Sequence, residues 1–424
     1  MALAGDRLLL GRRSRRGVQV LSAPATGGKA LTLFSARSAP RRVWALGDLD
    51  ASSERVAFVL LELVPGDRVV RSSVWAGSPA GPFAPVVRRR GGAWLPVDVQ
   101  LSGRTVGVTE IHPTREAFRH FVFPAGAPGV RVLAPLGVER FDLAGSLVGF
   151  VEGERQLVVR DWATGVEHLR YAATGPIDNH DLAEDGRALL HVPSQGVLEL
   201  LDAGGAVIAR VDGGPPAGHG DVRLAGDHAV TRSPGRFEGD AHIAAIDLAT
   251  GRKRRLSPPS RDLELDEAPL AVQGELVAWW ANGCALVAPI AGPGATVVPR
   301  GRCPRAEIYF ADHQPERLRG RTAHVRFQCV TAPPPGCRGS VRLQLERPLG
   351  EARYLIPAGR RETVRVPLTP RGLATLRREF RLPPRGNSAL VGVRTTLIDG
   401  ARPRSATPHQ GIVLRPARPS PEGR

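Results

Sequence analysis

Three short stretches of the chain pair histidine with aspartate, the combination that can move a proton near neutral pH: His180 with Asp181, His219 with Asp221, and Asp240 with His242. Each lies in or near a turn of a repeated unit, where a polar side chain usually caps backbone groups. All are therefore expected to be structural, and no catalytic residue is assigned. The sequence holds no Gly-x-Ser-x-Gly elbow, no phosphate-binding Gly-x-x-x-x-Gly-Lys loop and no His-Glu-x-x-His helix. No cofactor is implied.

Cysteine is the next reactive type. Cys284, Cys303, Cys329 and Cys337 all fall in the last third of the chain, and four cysteines can pair in three ways. Sequential pairing is expected. Cys329 and Cys337 flank Val330-Thr-Ala-Pro-Pro-Pro-Gly336, a turn that brings two consecutive strands to disulfide distance, while Cys284 and Cys303 bracket the last repeat and the exit from it. Their spacing is not Cys-x-x-Cys and no histidine pair stands nearby, so no metal site is assigned. Disulfides imply export, to an extracellular or cell-envelope location. Yet the segment from Ala2 to Leu10 is interrupted by Asp6 and Arg7 and has no basic region before it, unlike a secretory signal. Because the first repeat also begins inside its first strand, Met1 is expected to be internal to a longer product with an export signal upstream. No apolar run approaches the roughly 18 residues of a membrane span.

The third chemistry is anion binding. The chain carries a net charge of +17, of which residues 304–424, with 23 Arg against 9 Asp or Glu, hold +14. Only Lys29 and Lys253 are lysines. That skew, with abundant Ala, Gly and Pro, is what a GC-rich genome produces. In the C-terminal segment, Arg326, Arg342, Arg365 and Arg394 take the polar phase of alternating strands, so a one-sided sheet would turn them outward together as an anion-binding face. Basic runs at Arg12–Arg16, Arg88–Arg90 and Arg252–Arg255 read as solvated loops without the aromatics of a nucleic-acid stacking platform, so nucleic acid is not an expected partner.

The elements that must carry these residues are short strands in a repeat of about 40 to 50 residues, returning about seven times before Cys303. Leu143-Ala-Gly-Ser-Leu-Val-Gly-Phe150 followed by Gln156-Leu-Val-Val-Arg-Asp161-Trp-Ala-Thr-Gly165 has a near twin in Leu224-Ala-Gly-Asp-His-Ala-Val230 followed by His242-Ile-Ala-Ala-Ile-Asp247-Leu-Ala-Thr-Gly251. A further copy runs from Leu182 to Gly205, another starts at Leu3, and weaker ones centre on Ser53, Gly103 and Gly274. Gly or Asp accepts the positive φ of a tight hairpin, and the apolar runs on either side suit sheet faces buried against neighbours. Aromatic content of only 5% and a single Met favour many small β-rich cores over one helical bundle.

These residues resemble TolB-like and WD-type propeller repeats, with an Asp-Gly-like turn before one strand and an Asp-x-x-x-Gly turn after the next. No copy carries the Gly-His and Trp-Asp pair of the strict WD signature, and Asp161-Trp162 reverses its order, so no partner carries over. The fold expectation is all-β: a seven-bladed β-propeller over 1–303, a small basic β-sandwich over 304–415 similar to immunoglobulin-like accessory domains of bacterial surface proteins, and a disordered tail over 416–424. Sandwich strands are expected at Val325–Cys329, Ser340–Leu345, Thr363–Val366, Leu390–Thr395 and Ile412–Leu414. One helix is expected after Thr369, with Pro370 at its first position and Leu373, Leu376 and Phe380 on one face. The corresponding function is a non-enzymatic, monomeric binding scaffold, exported and associated with the cell envelope, whose partner is a protein or an anionic envelope polymer. The alternative is an exported hydrolase or lyase with its active site at the channel mouth. Paired carboxylates or a His–carboxylate pair in the channel would favour the enzyme, and a lining of small apolar groups the scaffold.

Overall fold

The computed structural model describes residues 1–416 except 15, 66–67, 92, 133, 135–137, 139–140, 214–221, 234–240, 258–269, 282–283, 293–295, 299–306, 311–315, 332–335, 358–359, 382–387, 400–401 and 406–409. Among these residues the chain is all-β apart from one α-helix and one short 3-10 turn. Seven four-stranded antiparallel sheets follow one another at 2–37, 43–90, 95–132, 142–172, 179–212, 222–255 and 270–298, each with its strands in chain order. The middle strands are apolar runs without alternation, such as Val56-Ala-Phe-Val-Leu60 and Ala188-Leu-Leu-His-Val192, because both of their faces are covered by neighbouring sheets. The last strand of a sheet is the exposed one, as in Leu31–Arg37 and Lys253–Arg255.

Turn chemistry sets the repeat. The hairpin between first and second strands turns on Gly5, Gly103, Gly145, Gly226 and Gly274, all with φ between +52° and +60°, where a side chain would be strained. The later Asp-x-x-Thr-Gly turn is held by its aspartate. Asp161 Oδ1 accepts from the amides of Ala163 and Thr164 and from the Thr164 hydroxyl, and Asp247 Oδ1 accepts from the Thr250 amide. Gly165 and Gly251 close these turns at φ +75° and +68°.

The sheets close on themselves. The first strand of each packs on the first strand of the next, and Leu270–Gln273 of the seventh packs on Ala2–Ala4 of the first. The buried apolar residues form one cluster between each consecutive pair of sheets, and a further cluster joins Leu3, Leu8, Leu10 and Ala23 to Ala278, Ala285 and Val287 across the closure. Radial four-stranded sheets packed face to face around a channel are a β-propeller.

The C-terminal strands form two further sheets around a separate core. One holds Glu307–Phe310, Thr322–Thr331 and Arg361–Pro367. The other, of six strands, holds Glu316–Arg317, Gln410–Arg415, Ala389–Asp399, Cys337–Gln344 and Pro348–Ile356, with Arg402–Ser405 paired to Ala389–Asp399. Val325 and Phe327 of the first meet Val341, Tyr354, Val391 and Val393 of the second in that core. The helix Pro370–Glu379 starts at Thr369, whose hydroxyl accepts from the Gly372 amide, and it buries Leu373 and Leu376, with Phe380 just beyond. Pro348–Ile356 is a strand that alternation did not reveal, because its Pro-Leu-Gly start reads as a turn.

Cys329 and Cys337 form a disulfide with their Cα atoms 5.6 Å apart, both fully buried. The strands it joins are consecutive in the chain but lie in different sheets, so the bridge pins one layer to the other. Cys284 is disulfide-bonded; Cys303, its expected partner, lies outside the described residues, as does the tail from 417 onward. The basic runs differ from expectation. Arg12 and Arg13, Arg88–Arg90 and Lys253–Arg255 lie on strands rather than loops. Two are paired across junctions between sheets, Arg89 with Glu110 and Lys253 with Asp212.

A disulfide closing a loop this short restricts the unfolded chain by roughly 2–3 kcal/mol. Replacing both Cys329 and Cys337 by alanine is expected to lower stability by about that amount, read as an earlier urea midpoint for the C-terminal sheets. An unchanged midpoint would show that the bridge does not hold the two layers.

Candidate functional site: the polar channel

Aligning the seven first strands on their hairpin turns puts one residue of each at the same level of the channel: Ala2, Asp50, Gln100, Asp142, Asp181, Arg223 and Ala271. Most are polar because the first strand of a sheet is an edge. Every second amide of it points away from the sheet, toward the preceding sheet, and no strand is there to receive it. The polar side chain supplies the acceptor. Asp50 Oδ2 accepts from Leu101 N at 2.7 Å, Gln100 Oε1 from Leu143 N at 3.0 Å and Asp181 Oδ2 from Leu224 N at 2.6 Å, each one sheet further on.

A second tier sits at the hairpin turns. Ser102 Oγ accepts from Gly145 N at 2.7 Å and donates to Glu184 Oε1 at 2.7 Å, while Ser52 Oγ donates to Gly103 O at 2.5 Å. Gln273 Oε1, in the last sheet, accepts from Gly5 N at 2.6 Å in the first and so closes the ring. At the other end Asp48 Oδ2 accepts from Val99 N at 2.9 Å.

The space so lined is a cavity of about 650 Å³, continuous in its lining residues with a second of about 890 Å³ whose walls include Leu46, Val97, Phe118 and Trp280. Carboxylates dominate the first. Burial pushes the Asp50 carboxyl up to about 6, aided by the negative charge of Asp48 and opposed by hydrogen bonds and Arg223. Asp181 is raised too, first by burial and also by Asp142, against the Arg223 guanidinium 3.2 Å away. His180 Nε2 lies 3.3 Å from Gly149 O, its hydrogen-bond partner, and 3.3 Å from Asp142 Oδ2. Among the described residues no three carboxylate, imidazole or thiolate groups converge to hold a metal ion.

Of the pairs singled out from sequence, His180 and Asp181 lie on the first strand Asn179–Leu182 rather than in a turn: Asp181 lines the channel, and His180 packs on Gly149 of the preceding sheet. His242 opens the strand His242–Asp247. His219, Asp221 and Asp240 lie outside the described residues. Asp48, Asp50, Asp98 and Asp142 were missed. Asp50 and Asp142 stand at the same offset before a repeat's hairpin as Asp181, and Asp48 and Asp98 two residues before that level, a pattern that shows only once the strands are aligned. Arg326, Arg342, Arg365 and Arg394 are all exposed but are not brought together. Arg326 and Arg365 lie in the three-stranded sheet, and Arg342 faces Arg394 across two strands of the other.

No family model matches the chain, and no curated protein does. Among solved structures it is similar to Hsv2 of Kluyvelomyces marxianus, at 12% identity and a TM-score of 0.42 over 66% of this chain and 88% of that one. It is also similar to the computationally designed Ika8 protein, at 13% and 0.41 over 76% and 94%, and to apo AztD of Citrobacter koseri, at 12% and 0.37 over 60% and 83%. No ligand or partner transfers at that distance, and the propeller assignment rests on the sheets and their closure.

Two outcomes follow from the clasps. A carboxyl raised in the folded state favours folding when protonated, so its contribution is full below the unfolded value near 3.8 and is lost as pH rises through about 6. Asp48, Arg223 and the amino group of Met1 are the charged groups facing Asp50. Asp50→Asn keeps an oxygen for Leu101 N and removes the charge. It is expected to be more stable than the parent at pH 7.5 by on the order of 2 kcal/mol and equal to it at pH 4; a difference independent of pH would refute the assignment. Gln273→Ala strips the acceptor from Gly5 N and is expected to cost about 1–2 kcal/mol, with faster hydrogen exchange of the Gly5 amide. Unaltered exchange there would mean that the ring closes without this clasp.

Proposed function

We propose that the chain is a non-enzymatic binding module: a seven-bladed β-propeller over 1–303 joined to an immunoglobulin-like β-sandwich over 304–415, exported and held against an anionic surface of the cell envelope. The observation that carries this reading is what the channel side chains do. Asp48, Asp50, Gln100, Ser102, Asp181 and Gln273 direct acceptors at backbone amides of the next sheet. A general base needs its lone pair aimed at substrate, whereas these carboxylates each aim an oxygen at a backbone amide. The concentration of positive charge in 304–424 supports the anionic partner, and the fully buried disulfide between two sheets supports export. Among the described residues no helix is long and apolar enough to cross a membrane.

Two observations favour the enzyme reading. The channel is not lined by small apolar groups, and the channel-lining Asp142 has His180 3.3 Å from its Oδ2. In that reading Asp142→Asn would abolish turnover of whatever ester, amide or glycoside the mouth admits, with polyanion binding intact.

The test of the module is retention of the full chain on an immobilised polyanion. Retention at low salt is expected to fall steeply as the screening length shrinks from about 10 Å at 0.1 M to about 3 Å at 1 M. Retention that ignores salt, or none at low salt, would overturn the reading.

A further inference from the structure

We propose that the outer face of the six-stranded C-terminal sheet docks on the surface of an anionic lipid bilayer. This rests on the anionic-surface reading above and names the surface.

Strand register defines the face. Arg394, Arg342 and Glu351 stand in one row across three strands, Thr396, Ser340 and Arg353 in the next, and Arg338 and Leu355 in a third. Residues of intervening parity, Val341, Leu343, Tyr354, Val393 and Leu397, are buried in the core. Among the described residues, the outward set of these three strands therefore holds Arg338, Arg342, Arg353 and Arg394 against one acidic residue, Glu351, all exposed. Arg342 and Arg394 are directly opposed, an arrangement that repels in water. Glu351 answers Arg342 at 2.8 Å, which leaves the row with net positive charge.

Charge alone would suit any polyanion. The aliphatic residues on the same face narrow the choice. Leu355 is 55% exposed, Leu390 50% and Ile398 39%, three of the ten large hydrophobic side chains exposed among the described residues. Leu390 and Ile398 share the outward parity of Arg394 on the strand Ala389–Asp399. Neither carbohydrate nor polyphosphate gains from aliphatic groups held in water. The boundary between headgroups and acyl chains does: it takes up aliphatic side chains while arginine stems lie along it with their guanidinium groups at the phosphates. A sheet face that combines four arginines, one glutamate and three exposed aliphatics matches that boundary.

The test uses the full chain with vesicles of phosphatidylcholine alone, vesicles containing phosphatidylglycerol, and soluble polyphosphate, read by co-sedimentation and retention. Binding to the phosphatidylglycerol vesicles and not to phosphatidylcholine is expected. Changing Leu355, Leu390 and Ile398 together to threonine, which suits an exposed strand, should weaken vesicle binding by at least about tenfold with polyphosphate binding unchanged, which also shows that the variant is folded. Arg353→Gln with Arg394→Gln should weaken both. Polyphosphate binding without vesicle binding, or vesicle binding that the threonine variant retains in full, overturns the bilayer and leaves the anionic-surface reading standing. Binding to neither probe overturns both.

Discussion

The first strand of every propeller sheet has one unpartnered edge, and the ring depends on satisfying it. A β-strand needs its outward amides paired, and a buried amide without a partner costs about 1–3 kcal/mol. In three of the sheets the chain answers with a side-chain acceptor at the same distance before the hairpin. Asp50, Gln100 and Asp181 do the same work with different chemistry, which identifies the requirement as an oxygen at that place and not a charge. Apolar packing between consecutive sheets supplies attraction but little direction. Where they occur, the clasps fix how far one sheet is displaced along the channel from the last, and Gln273 on Gly5 applies the same rule at the closure.

That solution has an electrostatic consequence. Carboxylates recruited as acceptors are buried and lie near one another, so burial first, and then the neighbouring carboxylates, make Asp50 and Asp181 hold their protons more tightly than free aspartates. Arg223 occupies the equivalent level in the sixth sheet and offsets part of the repulsion by pairing with Asp181 and acting across the channel on Asp50. The channel is therefore acidic for structural reasons. Away from it, buried Glu110 ties Arg89 of the second sheet to Arg119 of the third, and Tyr171 of the fourth donates to Glu199 of the fifth, so charged groups reinforce the same junctions further out.

Much of the fold was legible because turns announce themselves. Gly145, Gly226 and the Asp-x-x-Thr-Gly closures need particular backbone angles or local hydrogen bonds, and few residue types supply them. The helix after Thr369 was legible for the same reason, its cap, proline and apolar face agreeing. The channel was not. Asp48 and Asp50 look like ordinary surface aspartates until seven strands are brought to one axis, since each accepts from an amide 51 residues away. The division of the four arginines between two sheets was illegible for a related reason. Alternation says that Arg326 and Arg394 point outward from their sheets, but it cannot say that those sheets are different layers of one sandwich.

Register decides what alternation cannot, and in the C-terminal part it turns a bulk charge into a pattern. The Cys329–Cys337 bridge and the stacked rings of Phe327 and Tyr354 hold the two layers with their apolar sides inward. Each outward side is then free to differ. The three-stranded sheet shows His324, Arg326, Thr363 and Arg365, a polar surface without exposed large aliphatics among the described residues. The six-stranded sheet mixes arginines with Leu355, Leu390 and Ile398. A GC-rich genome can raise arginine everywhere, but composition acts on both layers alike. It gives no reason for three exposed aliphatic side chains to gather on one of them, and that asymmetry is what binding to a surface of mixed charge and hydrocarbon requires.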